Sequence, residues 1–360
     1  MSAPRRLLLT ADAVGGVWQY SLDLAAALAP FGIGVTLATL GPAPSPDQRA
    51  RAAAVPGLTL VETGLALEWL ATDPADLRHA EATLANLASD LSADLVQLHS
   101  PALAAAQAWP CPVIAVLHSC VATWWSAVKQ GPMPPDFHWR TDLVRAGLHR
   151  AALAIAPTAA FAAAAQRHYG VLPMPVHNGR AFAAPPAAMQ DRVFTAGRLW
   201  DAGKNVATLD RAARRIAVPF DAAGPTRAPH GQSIALEALH PLGTLDEAAL
   251  ARHLSARPVF ASAALYEPFG LSVLEAAASG CALVLSDIPT FRELWSGAAT
   301  FVQPQDDAAF AAAITALIED SAARIEAGDR ARARAARYRP AAMAARMAGL
   351  YAHARERAAA

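Results

Sequence analysis

At 360 residues the chain is too long for one ordinary hydrophobic core and suits two domains of roughly 150–200 residues each. Hydrophobic residues make up 54% and charged residues 17%, with a formal net charge of +0, which supplies a sizeable core and argues against a chain-wide polyanion-binding role, nucleic acid included. Much of the apolar content is alanine, which favours helices and close helix–sheet packing over large aromatic cores.

Cys111, Cys120 and Cys281 are odd in number, far apart and outside any C-x-x-C or metal pattern, so reduced thiols in a cytoplasmic protein are expected. The segment around Arg5-Arg6 precedes too short an apolar run for a signal peptide, and no stretch reaches about 18 apolar residues uninterrupted. The expectation is a soluble protein, at most peripheral to the inner face of a membrane.

Leu7–Thr10 reads as a buried strand, Ala11–Gly16 as a glycine turn, Val17–Leu28 as a helix and Val35–Leu40 as a second strand. This strand–turn–helix–strand unit opens a doubly wound α/β domain. It lacks G-x-G-x-x-G, which argues against an NAD enzyme. The Gly15-Gly16 pair can still bring backbone close to a phosphate at a helix N-terminus, although a plain turn needs glycine equally. Further strand-like stretches at Leu58–Val61, Leu95–Leu98, Val113–Leu117 and Leu153–Ala156 alternate with helical stretches near Asp76–Leu91, Arg140–Arg150 and Phe161–His168. Such alternation predicts a parallel sheet covered on both faces. His118 and Ser119 close one strand at the end where crevice residues belong, a place a structural histidine also occupies.

Residues 120–139 form an aromatic and proline-rich insert expected to be a loop, with Trp124, Trp125 and Trp139. Its indoles suit an acceptor-binding lid or simple packing of the loop onto the domain. After Asn178-Gly179 comes a linker, Ala181–Ala188, stiffened by Pro185-Pro186. The second domain opens with a strand at Val193, a loop carrying Arg198 and Lys204, and a helix over Val206–Ile216. A guanidinium fork and an ammonium around a glycine loop suit a diphosphate. Phe220–Gly224 reads as a strand, His240–Gly243 as a loop and Asp246–Ser255 as a helix.

Pro258–Ser262 then enters a tight loop with Pro268 and Gly270, and Ser272–Ser279 leaves it as a helix stopped by Gly280. Glu267 stands on the loop and Glu275 one turn into the helix, so both could face one hydroxyl-rich ligand, or both could be solvent-exposed. Helical sequence follows Val302, with nine Arg between Arg324 and Arg357, readable as a membrane-facing basic surface or as a solvated helix face.

The stretch Glu267-Pro-Phe-Gly-Leu-Ser-Val-Leu-Glu275 resembles the E-x7-E motif of the retaining glycosyltransferases of family 4. Gly15-Gly16, His118, Asn178-Gly179, Arg198 with Lys204, and the closing segment Tyr338–Tyr351 occur in the family's order. The resemblance implies an α/β protein of the GT-B fold: two Rossmann-like doubly wound domains, residues 1–182 and 190–337, an interdomain cleft, and a C-terminal crossover helix, residues 338–360, that completes the first domain. It implies a retaining, metal-independent transfer of a sugar from a UDP- or GDP-sugar to an acceptor hydroxyl, lipid-linked or on a glycan, without a cofactor. A nucleotide-sugar epimerase of the same fold and a non-catalytic nucleotide-sugar-binding protein are the alternatives. In this reading His118, Arg198, Lys204 and Glu267 are catalytic. Gly15, Gly16, Arg198, Lys204, Glu267, Phe269, Gly270, Leu271 and Glu275 hold the donor, with Glu275 on the ribose, and Trp18, Trp124 and Trp125 lie on the acceptor side. The His240–Gly243 loop would help hold the base. Ala263-Ala264 departs from the Pro-Ser common there, which leaves the nucleotide open.

Overall fold

The computed structural model describes residues 4–185, 187–229 and 231–359. The chain folds as two compact units, Met1–Gly179 with Pro340–Ala360, and Arg180–Arg339.

The first unit runs β1 (Arg6–Asp12), α1 (Gly16–Leu28), β2 (Gly34–Leu40), α2 (Pro46–Ala53), β3 (Leu58–Leu65), α3 (Pro74–Asp90), β4 (Leu95–Leu98), β5 (Val113–Val116), α4 (Val121–Val128), α5 (His138–Arg150), β6 (Leu153–Ala156), α6 (Ala159–Tyr169) and β7 (Met174–Pro175). Its strands form one sheet in the order β3-β2-β1-β4-β5-β6-β7, all parallel. Strands β4 and β5 are buried along their whole length, which is why β5 reads in sequence as an unbroken apolar run and β4 as one interrupted only by Gln97. The order reverses between β1 and β4, so the loops after these two strands diverge and open a crevice at their C-terminal ends.

The second unit contains β8 (Val193–Ala196), α7 (Val206–Ala213), β9 (Phe220–Ala223), β10 (His240–Gly243), α8 (Glu247–Ser255), β11 (Val259–Ser262), α9 (Leu271–Ala278), β12 (Leu283–Ser286), α10 (Pro289–Trp295), β13 (Thr300–Val302), α11 (Asp307–Glu319) and α12 (Ser321–Ala335). Its sheet is also all parallel, in the order β10-β9-β8-β11-β12-β13, with the reversal between β8 and β11. Helix α13 (Pro340–Ala359) belongs to the first unit. Its Met343, Met347 and Tyr351 are buried in one core with Trp18, Tyr20 and Leu24 of α1.

Three expectations are corrected. The insert at 120–139 is not all loop: residues 121–128 form α4, and the prolines at 132, 134 and 135 fall after it. His240–Gly243 is not a loop but the edge strand β10, paired with β9 alone and mostly exposed, so it lacks an apolar run. Arg324 is not part of a basic surface. It is 1% exposed, and its Nη1 lies 3.0 Å from Asp191 Oδ1 while Nη2 donates to the carbonyls of Gln190 and Arg257. Among its neighbours, Arg330 pairs with Glu326, Arg332 with Asp329, and Arg334 donates to the carbonyls of Leu294 and Ser296. Among the described residues no helix is long and apolar enough to cross a membrane. Pro185 lies in a stretch without regular structure, and Pro186 lies outside the described residues.

Candidate functional site

In the second unit the site is built at the reversal of the sheet, where the loops after β8 and β11 meet. Gly197 directly follows β8 and has φ +156, and a Cβ on Gly224, itself at φ +133, would lie 1.8 Å from the Gly197 carbonyl oxygen. Glycine is therefore required at 224, where β9 passes its neighbour too closely for any side chain. The Lys204 chain crosses over Gly197, its Cε 3.5 Å from where a Cβ would stand. Asp201 folds the loop: Oδ1 accepts from Gly203 N at 2.8 Å, and Oδ2 accepts from Arg198 Nη2 at 3.0 Å. The Arg198 side chain is 41% exposed and stands 5.8 Å from the Trp200 ring.

Gly203 then ties this loop to the next one, its carbonyl accepting from Leu265 N at 2.9 Å and Tyr266 N at 3.2 Å. That tie brings Lys204 Nζ onto Glu267 Oε2, both side chains being largely buried. Asn205 braces the loop from behind, in the left-handed region at φ 51, with Nδ2 donating to the carbonyls of Ala263 and Pro304. Ala263 and Ala264 are fully buried, and the Ala264 carbonyl accepts from Ser286 Oγ at 2.5 Å. Gly270 begins α9 at φ 89, with no side chain capping that end. A Cβ there would press on Glu267 Cγ at 3.2 Å and Phe291 at 3.3 Å, so the glycine also leaves room for the carboxylate. Phe269 is buried edge-on against Tyr338, centroids 5.8 Å apart, and anchors the loop, while Leu271 is half-buried at the first turn.

Glu275 faces inward and is 8% exposed. Its Oε1 accepts from Arg180 Nε at 2.8 Å, and Arg180 Nη2 lies 3.0 Å from Glu247 Oε2. Sequence reading did not single out Arg180, although it directly follows Asn178-Gly179.

The first unit carries the remaining residues. Asp12 Oδ1 accepts from Val14 N at 2.9 Å and Gly15 N at 3.0 Å, shaping the turn before α1. Gly15 is extended at φ −140, so this turn uses no left-handed conformation; Gly16 is exposed. His118 is half-buried, its Nε2 is shielded from solvent with no hydrogen-bond partner, and burial pushes the imidazole down to about 4. It packs edge-on against Tyr20 and His99, with centroids 4.6 and 4.7 Å away.

His99, also missed in the sequence, follows β4 as His118 follows β5. Its backbone N donates to Thr10 Oγ1 at 3.0 Å across the reversal of the sheet. A chain of contacts fixes its ring: Tyr351 Oη donates to Gln97 Oε1 at 2.6 Å, and Gln97 Nε2 lies 2.8 Å from His99 Nε2. Burial, with His118 alongside, holds His99 well below the ordinary histidine range. Trp18 is 3% exposed inside the core of this unit. Trp124 and Trp125 are half-buried on α4; Lys129 Nζ lies 5.5 Å from the Trp124 ring, and Trp125 Nε1 donates to the Gly131 carbonyl.

The chain's own residues thus gather two cations, a carboxylate and an uncapped helix start at one switch point, and a buried imidazole cluster at the other. Residues 14–179 match the family model described as Glycosyltransferase Family 4, and residues 190–320 match the model described as Glycosyl transferases group 1. A search of curated proteins by sequence found no match. Among solved structures, sucrose-phosphate synthase from Thermosynechococcus elongatus is similar with a TM-score of 0.80 at 19% identity, covering 97% of this chain and 98% of that one. HepE from Anabaena, in complex with UDP-glucose, gives a TM-score of 0.74 at 18% identity over 97% and 99%. A glycosyltransferase from Rickettsia africae gives 0.70 at 13% identity over 97% and 98%. These likenesses establish the shared fold, and together with the two consecutive family matches they identify the chain as a family 4-like glycosyltransferase of the GT-B fold.

Proposed function

We propose that the protein moves a sugar from a nucleotide-diphosphate donor, a UDP- or GDP-sugar, to an acceptor hydroxyl with retention of anomeric configuration. The observation that carries this reading is the Lys204–Glu267 pair beside Arg198 at the switch point of the second sheet. In the proposed reaction the bond from the anomeric carbon to the diphosphate oxygen breaks and the bond to the acceptor oxygen forms on the same face. The acceptor proton passes to the departing phosphate. The charge that develops on that phosphate is met by Lys204, Arg198 and the N–H groups at the start of α9, donors held in place before the reaction begins. Glu267 keeps the Lys204 ammonium at its post and orients the sugar, while Glu275 accepts from the ribose. Phe269, Gly270 and Leu271 shape the loop that carries these contacts.

The first unit is assigned the acceptor, a lipid-linked or glycan hydroxyl, with Gly15, Gly16 and His118 as its contribution to transfer and the α4 indoles Trp124 and Trp125 as an aromatic platform. Trp18 supports α1 from within the core rather than touching substrate. Since side-chain cations supply the positive charge, transfer should persist in a strong chelator, and we assign the protein to the cytoplasm, at most peripheral to the membrane.

The test is a thermal-shift panel of UDP, GDP, ADP and TDP, followed by transfer assays with the matching sugar nucleotides. A nucleotide that binds the native state raises the melting temperature by mass action. UDP is the natural first probe, since HepE is described in complex with UDP-glucose. No shift with any of the four, or a product of inverted configuration, overturns the reading. A new sugar nucleotide formed without acceptor would identify an epimerase instead.

A further inference from the structure

Arg180 is the most completely enclosed cation beside the residues assigned to the donor. Its side chain is 4% exposed and three directions of its guanidinium are used: Nε donates to Glu275 Oε1 at 2.8 Å, Nη2 faces Glu247 Oε2 at 3.0 Å, and Nη1 donates to the Ala181 carbonyl at 2.7 Å. Its Cζ stands 5.4 Å from the Phe182 ring, and its backbone N donates to the Tyr338 carbonyl at 3.1 Å. The two carboxylates come from different elements. Glu275 lies in α9, and Glu247 is the first residue of α8, directly after the loop that leaves the edge strand β10.

We infer that Arg180 is a positioning residue for the nucleotide: it ties Glu275 to the start of α8 and so fixes the distance between the ribose contact and the β10–α8 loop. The inference rests on the reading of Glu275 as the ribose acceptor. A planar fork bridges two carboxylates in a way an ammonium cannot, because its N–H groups leave in fixed directions. It also offsets the repulsion of two carboxylates, the buried Glu275 and the partly exposed Glu247, that converge on one guanidinium. A carboxylate already held in one rotamer loses little freedom when the ribose diol arrives, so nucleotide affinity depends on Arg180 even though it need not touch the ligand.

The experiment measures UDP binding (or GDP, if the panel selects it) by calorimetry on the full chain, for wild type, Arg180→Lys, Arg180→Gln, Glu275→Gln and the double variant Arg180→Gln with Glu275→Gln, alongside the 2′-deoxy nucleotide. Arg180→Lys is expected to raise Kd about tenfold, the scale of one lost charge-assisted hydrogen bond, with kcat at saturating donor within about threefold of wild type. It should also narrow the preference for ribose over 2′-deoxyribose, which a purely structural role would leave intact. The double variant should bind no more weakly than Glu275→Gln alone, because the two residues act through one contact. Folded variants with unchanged Kd and unchanged ribose preference, or losses that multiply independently, overturn the inference. Should the Arg180 variants fail to fold, Glu247→Gln loosens the same bridge from its exposed end. A rise in Kd of about threefold there supports the inference, and an unchanged Kd sinks it. Wild-type protein that binds no nucleotide overturns the donor reading and this inference together, whereas binding by wild type that the variants match overturns only the inference.

Discussion

Lys204 and Glu267, 63 positions apart in sequence, meet as an ion pair because β8 and β11 are neighbours in the sheet and Gly203 bonds the two loops that follow them. The pair places an ammonium over the backbone of Gly197, which directly precedes Arg198 in the chain. Lys204→Ala and Arg198→Ala are each expected to lower turnover by at least about two orders of magnitude, the scale of removing one preorganised charge stabiliser. Steady-state kinetics on folded protein decide this, and rates within threefold of wild type would remove the residue from the site.

Gly224→Ala tests the glycine packing beneath that loop. The new methyl would have to displace the Gly197 carbonyl, 1.8 Å away, from a backbone angle of φ +133 that alanine disfavours. A loss of about 2–3 kcal/mol is expected, read as a lower melting temperature, together with weaker nucleotide binding as Gly197 moves the adjoining Arg198. A variant that melts and binds like wild type would show that the two strand ends can separate freely.

His118 makes stability depend on pH. Its imidazole titrates at about 4 in the folded chain, against an ordinary value of 6.5. The unfolded chain therefore binds more protons between these values, and unfolding becomes easier as pH falls through that window, by up to about 1.4 kcal/mol per pH unit for one such group. Above about pH 6.5 this contribution is constant. Denaturant unfolding of wild type and His118→Asn from pH 4 to 8 should give a shallower acid slope in the variant, His99 contributing to both. Parallel curves would mean that His118 is not held neutral by burial.

Tyr351→Phe removes a single hydroxyl from α13 and leaves Gln97 Oε1 buried without the 2.6 Å bond it accepts. The first unit should lose about 1–3 kcal/mol. With Gln97 released, the His99 ring loses the contact that sets which nitrogen carries its proton, visible in the imidazole nitrogen shifts. Unchanged shifts would show that the Ser21 hydroxyl, 3.4 Å from His99 Nδ1, and the packing of Tyr20 suffice to hold the ring.

Much of the architecture could be read from residue order. Parallel strands covered on both faces are largely apolar, so Val113–Val116, Leu153–Ala156 and, apart from the hydrogen-bonded Gln97, Leu95–Leu98 announce themselves, and their alternation with helical stretches specifies a parallel α/β sheet. The places of Arg198, Lys204, Glu267 and Gly270 in the fold were legible for the same local reason: they lie close to strand ends and helix starts that the sequence marks. Features without such a local signature were not. The edge strand β10 is exposed and contains Pro241, so it carries no apolar run, and α4 is masked by the prolines that follow it.

Only the tertiary structure decided which distant side chains meet. Arg180 and Glu275 are 95 positions apart, Tyr351 and Gln97 are 254, and Arg324 and Asp191 are 133. In α12 the buried Arg324 shares a helix face with Gly328, Ala331 and Ala335 while the exposed Arg330 lies off that stripe, but only the folded chain shows that this face meets the Gln190 and Arg257 carbonyls. Hydrophobic pattern and turn chemistry are local and recur at fixed spacing, which is why a single sequence reveals them. The order of strands in a sheet, and with it the pairing of polar groups from different loops, is a property of the folded chain as a whole.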